Sequence, residues 1–164
     1  MKIRNIIIHC SNSTFGCASL IRKWHTAPLS EGGRGWSDIG YHFVVTNGEP
    51  SKNLILPCST AAIEVGRVID ADGNMTSQEV GAHTLGMNGD SLGICLIGKN
   101  DFCLDQRVAA AKLCCELCQI FSIPVTRIMG HCETPSGKEQ GKTCPNLDMV
   151  AFRTLVESMV SSVC

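Results

Sequence analysis

The sequence SLGICLIG at residues 91–98 is an uninterrupted apolar run, which is typical of a strand buried on both faces in the centre of a sheet. Residues 3–8, which end in the apolar run Ile6-Ile7-Ile8, predict another buried strand, with His9 at its carboxyl end. Apolar residues at helical spacing predict an amphipathic helix over 105–121. Strands and helices that mix along one chain predict a single α/β domain, with a central mixed sheet flanked by helices.

Weaker patterns complete the predicted fold. Alternating residues favour strands at 41–46 and 66–69, with turn signals at Asn47-Gly48 and after 66–69 at Asp72-Gly73. Residues 49–65 lack a regular pattern and are assigned to a surface loop or short helix. The remaining predicted elements are a helix capped by Ser13 or Thr14, a strand at 125–129 that leads to His131, and a closing helix after Asp148.

Length and composition limit the possible function. The 164 residues fit one domain, residues 1–164 with a core from about 3 to 160. Charged residues are 18% of the chain and the net charge is −1, so we expect neither nucleic acid nor an anionic membrane as a partner. The apolar runs are too short for a signal peptide or a membrane span, so we expect the protein to be made in the cytoplasm and not inserted into a membrane. We also expect it to be a monomer.

The eleven cysteines are not spaced as in a disulfide scaffold. An odd number leaves at least one cysteine unpaired, and four lie in or beside the helical pattern near 105–121. We therefore expect most of them to be small buried apolar side chains in a reducing compartment. The Cys115-x-x-Cys118 pair lies inside that helix without a second pair or a nearby histidine, which argues against a metal or redox motif.

Three dispersed residues, His9, His131 and Cys144, could together coordinate Zn²⁺. Two imidazoles and a thiolate suit zinc, and three protein ligands leave a fourth position open, as in catalytic sites. Both histidines follow predicted strands, where side chains are held rigidly. Spacing alone leaves the ordinary alternatives open, since each histidine can be a boundary residue and the cysteine a buried filler.

Several ordered sequence blocks carry a family resemblance. The clearest blocks are IHCS at 8–11, RKWH at 22–25, GWSDIGYHF at 35–43, GAHTLGMN at 81–88, GHCE at 130–133 and KTCP at 142–145. Together the blocks span residues 6 to about 150 and resemble the type 2 N-acetylmuramoyl-L-alanine amidases, the family of T7-type phage lysozymes and catalytic peptidoglycan recognition proteins.

The resemblance implies a zinc cleft at the strand ends, with His9, His131 and Cys144 as the ligands. It also implies that Tyr41 lies beside the metal and assists catalysis. Lys142 matches the lysine that fills the corresponding catalytic role in the phage members of the family. Zinc would supply an activated water and polarise an amide carbonyl. Tyr41 could orient that water or exchange a proton, and the Lys142 ammonium could stabilise the oxyanion.

Other polar residues of the blocks are expected at the edge of this site. Candidate substrate contacts are His83, His25 and Trp36, although His83 could instead make a structural hydrogen bond and His25 could simply pack. His42 alternates with Tyr41 and should point to the opposite face of its strand. The chain departs from compact phage sequences in a longer 134–141 loop and a longer 49–65 connection, which we expect to shape the cleft walls.

We therefore expect a zinc amidase that cleaves between N-acetylmuramic acid and L-alanine of peptidoglycan. We expect this enzyme to be a single-domain endolysin of a phage or prophage. A muropeptide-recycling amidase is a close alternative, although that branch more often uses a carboxylate as the third ligand. A non-catalytic peptidoglycan-binding module of the same fold is the second alternative. The third is a cysteine hydrolase that uses Cys144 with His131 and needs no metal.

Overall fold

The computed structural model describes residues 1–161 and shows a five-stranded mixed sheet with helices on both faces. The strands follow the spatial order β3-β2-β4-β1-β5, and only β3 runs antiparallel to its neighbour. In chain order the elements are β1 (Asn5–Cys10), α1 (Ala18–Thr26), β2 (Phe43–Val45), β3 (Ile63–Val65), β4 (Ser91–Leu96), α2 (Leu104–Phe121), β5 (Ile128–Gly130), α3 (Pro135–Glu139) and α4 (Met149–Ser161).

The two apolar runs form the centre of the sheet, as predicted. β1 and β4 pair in parallel along six residues, with Ile7 opposite Gly93 and His9 opposite Cys95. Every residue of both strands is buried. Because β5 also runs parallel to β1, the carboxyl ends of β1, β4 and β5 meet at one edge of the sheet.

Helices cover the sheet on both faces, and alternate side chains of the strands pack against them. Ile94 and its same-face neighbours pack under α2 and α4, whereas Cys95 and Ile97 belong to a smaller cluster with Ile21 of α1. The predicted helix at 105–121 is α2, and the predicted closing helix is α4. None of the helices in residues 1–161 combines the length and apolar character that crossing a membrane requires.

The strand predicted at 66–69 is wrong, and the edge strand is β3, inside the segment predicted to be a loop or short helix. The exposed fractions of Ile63 and Val65 are 42% and 58%. This short edge strand therefore does not bury its apolar side chains, and it lacks the alternation of buried apolar and exposed polar residues that predicts a half-buried strand. After β3 the Gly66 and Arg67 amides still donate to the carbonyls of His42 and Tyr41, just before β2. A side chain in place of Gly66 would collide with the Tyr41 carbonyl.

The Asn47-Gly48 signal does not form a two-residue hairpin. Gly48 has a positive φ of 87°, but a long connection follows before β3, with one 3₁₀ turn at Cys58–Thr60. Cys58 forms a disulfide with Cys103, which precedes α2, so this pair departs from the expected reduced cysteines. The expectation of buried apolar cysteines holds for Cys10, Cys95, Cys114, Cys115 and Cys118, while Cys164 lies outside the described residues.

Three further boundaries differ from prediction. Helix α1 begins at Ala18 rather than near Ser13, because the Ser13 hydroxyl bonds the Phe15 carbonyl in a local turn and Glu64 supplies the acceptor for the Ala18 amide. Residues 125–127 form a 3₁₀ turn, so β5 begins only at 128. The expected 134–141 loop contains helix α3, capped by the Thr134 hydroxyl.

Candidate metal centre

The predicted ligands converge where the parallel strands end. His9 is the penultimate residue of β1, and His131 begins a 3₁₀ turn directly after the neighbouring strand β5. Cys144 lies between α3 and α4 and is tied to both strand ends. Its carbonyl accepts from the Cys132 amide at 2.7 Å, and its sulfur accepts from the Cys10 amide at 3.2 Å. Backbone contacts therefore fix the cysteine against the two histidines.

The cluster has dimensions that suit a small divalent cation. The ligand atoms of His9, His131 and Cys144 all lie within 4.8 Å of one another, and His9 Nδ1 is 3.9 Å from Cys144 Sγ. Tetrahedral zinc bound by nitrogen and sulfur would place such atoms roughly 3.6 Å apart. His9 is buried, whereas the other two are half-buried and line an open cleft of about 860 Å³.

Burial keeps the imidazoles in the neutral form that a metal requires. The pKa of His9 lies well below its ordinary value because of desolvation first and the neighbouring histidines His83 and His131 second. Desolvation and the nearby Lys142 ammonium also lower the pKa of His131. Both histidines can thus bind a cation at neutral pH without first losing a proton.

Cys144 shares a hydrogen bond with the thiol of Cys10. This bond lowers the pKa of Cys10 to about 7 and raises that of Cys144. A cation at the cluster would favour the Cys144 thiolate, because it stabilises the thiolate that coordinates it. The Cys10 amide, which points at Cys144 Sγ, would stabilise the same negative charge.

His83 is largely buried at the wall of the cleft and contacts the candidate ligand His9. Its Nε2 faces the Ser91 carbonyl at 3.4 Å, so Nε2 carries the proton and Nδ1 is an acceptor. His9 Nε2, 3.1 Å away, donates to that Nδ1. The lone pair of His9 Nδ1 is thereby left facing Cys144. His83 thus makes the structural hydrogen bond that the sequence allowed, and it also lines the cleft, so its role as a substrate contact stays a prediction.

Tyr41 and Lys142 both line the cleft beside the cluster. Tyr41 precedes β2 and is half-buried, with its ring centroid 5.1 Å from that of His9. Burial, reinforced by the nearby Cys95 and Cys144, raises the pKa of Tyr41 well above its ordinary value, so its phenol is protonated at neutral pH. Lys142 is exposed, and its backbone amide is anchored to the Gly137 carbonyl at 2.9 Å.

His25 and Trp36 form a side wall of the same cleft. The His25 ring lies 4.7 Å from Trp36 and 5.5 Å from Tyr41. Its Nδ1 accepts from the Gly40 amide, and burial followed by the Arg34 charge lowers its pKa to about 4. The neutral ring therefore has an Nε2–H left for another partner.

His42 and Glu133 have structural roles. His42 is fully buried away from the cleft, where Nδ1 accepts from the Gly93 amide and Nε2 donates to the Glu79 carbonyl. The Glu133 carboxylate bridges the Gly130 amide and Arg153, and so holds the turn that carries His131.

Two residues that line the cleft, Arg34 and Asn88, are not among the site residues predicted from the sequence. Arg34 lies over the Trp36 ring at 5.2 Å, and the Asn88 side chain accepts from the amides of His83 and Thr84. A signal for Asn88 existed, since it ends the GAHTLGMN block. Arg34 lies in a glycine-rich loop whose path the sequence pattern does not define.

Comparison with known proteins agrees with this architecture. A family model described as N-acetylmuramoyl-L-alanine amidase matches residues 1–147. The endolysin of Enterobacteria phage K11 is 29% identical over 154 residues, 87% of this chain and 80% of that protein. The endolysin of Klebsiella phage KP32 is also 29% identical, over 88% of this chain and 81% of its own.

Solved structures share the fold at lower identity. The N-acetylmuramoyl-L-alanine amidase LysC from Clostridium intestinale aligns with a TM-score of 0.66 and 20% identity, over 96% of this chain and 87% of its own. Drosophila PGRP-LB aligns with a TM-score of 0.62 and 24% identity, over 92% and 79%. Because the family model covers most of the chain, the protein belongs to the N-acetylmuramoyl-L-alanine amidase family.

Proposed function

We propose that this protein is a zinc-dependent amidase that hydrolyses the amide bond between the lactyl group of N-acetylmuramic acid and L-alanine in peptidoglycan. The observation that carries the proposal is the convergence of His9, His131 and Cys144 within 4.8 Å on the wall of an open cleft. The family match supports the bond, and the endolysin relatives support a role in lysis of the bacterial cell wall.

The donor set fits zinc as the resident metal. His9 would bind through Nδ1, because Nε2 is engaged by His83, and Cys144 would bind as a thiolate supported by the Cys10 amide. Zinc supplies Lewis acidity, which lowers the pKa of water and polarises a carbonyl. The three residues leave one side of the cluster open to the cleft, where a substrate amide can approach.

Tyr41 is assigned as a hydrogen-bond donor and proton carrier. Its raised pKa keeps the phenol protonated, so the hydroxyl can donate to a substrate oxygen or hold the attacking water in line. As the only tyrosine of the chain, it can be replaced without ambiguity. The His9 and His25 rings on either side of it restrict where the hydroxyl can point.

Lys142 is assigned to oxyanion stabilisation. A tetrahedral intermediate at an amide carries negative charge on oxygen, and a positioned ammonium lowers its energy. Lys142 is two residues before Cys144 and lines the cleft beside the cluster, where its charge lowers the pKa of His131. The backbone bond to Gly137 fixes the base of the side chain.

Digestion of purified muropeptides with mass analysis tests the proposed bond. We expect release of intact stem peptides with free L-alanine amino termini, and of sugars that keep the lactyl group. Binding without cleavage would instead support a non-catalytic recognition module. Cleavage within the stem peptide or the glycan would refute the assignment. Activity on small soluble muropeptides but not on intact sacculi would favour a recycling role over lysis.

A further inference from the structure

The cleft is electrostatically different from the rest of the chain. Arg34 and Lys142 contribute its fixed positive charges, and within residues 1–161 no aspartate or glutamate lines it. The complete chain has 15 acidic residues against 14 lysines and arginines. The cleft lining within residues 1–161 thus carries positive charge without acidic side chains, which favours an anionic ligand there.

Arg34 is held in place without being neutralised. Its guanidinium carbon lies 5.2 Å from the centroid of the Trp36 ring, a cation–π contact that leaves the hydrogen-bond donors free. The two ion pairs in residues 1–161 are Arg22–Asp38 and Arg153–Glu133, and neither includes Arg34.

The backbone around Arg34 is itself ordered by short-range bonds. Gly32 and Gly35 have positive φ angles of 78° and 64°, and the Gly33 and Gly35 amides bond the carbonyls of Pro28 and Ala27. The backbone that carries Arg34 at the cleft is therefore already ordered before a ligand binds.

A row of ring contacts leads from the metal cluster to Arg34. His131 contacts His9, His9 contacts Tyr41, and Tyr41 contacts His25, with centroid separations of 4.7, 5.1 and 5.5 Å. His25 then contacts Trp36, which Arg34 covers. Lys142 acts on His131 at the opposite end of the row. Arg34 is therefore placed to meet a part of the substrate some distance from the reacting carbonyl.

We propose that Arg34 is a specificity residue that binds a free carboxylate of the stem peptide, an inference that rests on the amidase function proposed above. Stem peptides carry such carboxylates on the second residue, D-glutamate, and on a third residue such as diaminopimelate, and either can be an uncharged amide instead. A guanidinium binds a carboxylate through two charge-assisted hydrogen bonds, which an amide cannot reproduce. The enzyme then selects acidic over amidated stems.

Paired muropeptides test this selection. One pair differs only in D-glutamate against D-isoglutamine at the second residue, and the other only in free against amidated diaminopimelate at the third. The wild type, Arg34→Ala, Arg34→Lys and Arg107→Ala are compared on all four substrates, with zinc content measured for each. Arg107 serves as the charge-matched control because it lies on α2 and does not line the cleft.

We expect wild type and Arg107→Ala to prefer the acid in at least one pair by about tenfold in kcat/KM, chiefly through KM. Arg34→Ala should cleave acid and amide equally with zinc content unchanged, and Arg34→Lys should keep part of the preference. The pair that responds identifies which carboxylate is bound. Cleavage with no preference in wild type, or a preference that survives in Arg34→Ala, would overturn the role of Arg34 alone. Failure of the zinc-loaded wild type to cleave any of the four would overturn the amidase proposal as well.

Discussion

His9 Nε2 lies 3.1 Å from His83 Nδ1, and this single hydrogen bond determines which nitrogen of His9 faces the metal cluster. His83 is fixed as the acceptor because its own Nε2–H faces the Ser91 carbonyl. The proton of His9 therefore sits on Nε2, and the lone pair on Nδ1 points toward Cys144. A largely buried histidine that is not itself one of the three candidate ligands thus orients His9 for metal binding.

Replacing His83 should weaken zinc binding without removing a ligand. Loss of an outer hydrogen-bond partner typically costs about 10–100-fold in metal affinity, and we expect this range for His83→Ala in competition titrations against a chelator. His25→Asn is the matched control, since it removes a cleft imidazole with no hydrogen bond to His9 and keeps an acceptor for the Gly40 amide. Equal affinity in His83→Ala and wild type would contradict the positioning role.

Tyr41→Phe should reduce turnover while leaving the metal site intact. General acid–base groups typically contribute about 10²–10⁴-fold, so we expect a kcat loss in that range with unchanged zinc content. The ring that packs between His9 and His25 is retained, and the loss should therefore not come from unfolding. Wild-type turnover in Tyr41→Phe would remove the hydroxyl from the mechanism.

Lys142→Ala should lower kcat by about 10²–10³-fold, the usual cost of removing one oxyanion stabiliser. Lys138→Ala is the control, because Lys138 is an exposed lysine of the adjacent α3 that does not line the cleft. The measurement is the steady-state kcat of wild type, Lys142→Ala and Lys138→Ala on one muropeptide. If both variants keep wild-type kcat, the oxyanion must be stabilised by another group.

The metal-free protein should lose stability as the pH falls below about 6.5. Burial lowers the pKa of His42 to about 4 and that of His83 to about 3, so both stay neutral in the fold while they protonate in the unfolded chain. Each adds up to ~1.4 kcal/mol per pH unit to the slope between those limits, and the sign is loss of stability toward acid. Urea unfolding at pH 7, 6 and 5 measures it, and a flat profile would show that these rings are protonated in the folded state.

The sequence predicted the core of this fold better than its edge. Buried strands β1 and β4 are built around short apolar runs, and α2 has a clear helical period, so local pattern and tertiary environment agree. Strand β3 is an exposed edge whose pairing is determined by β2, and its Glu64 carboxylate caps α1 across the fold. Such long-range relationships leave no mark in local periodicity.

The candidate site divides in the same way. His9 and His131 could be placed together because each follows a strand, and parallel strands end at a common edge. The tautomer of His9 could not be predicted, since it depends on a histidine 74 positions away. The orientation of Arg34 depends on the path of a glycine-rich loop, and only the folded structure shows it above Trp36.

Metal dependence tests the central claim most directly. The release of free L-alanine amino termini from one defined muropeptide is measured in the purified protein, after complete removal of metal, and during stepwise return of zinc. We predict that cleavage disappears with the metal and returns in proportion to zinc, up to one ion per chain. Cleavage that persists in the fully metal-free protein would contradict the zinc site of His9, His131 and Cys144 and favour a Cys144 nucleophile instead.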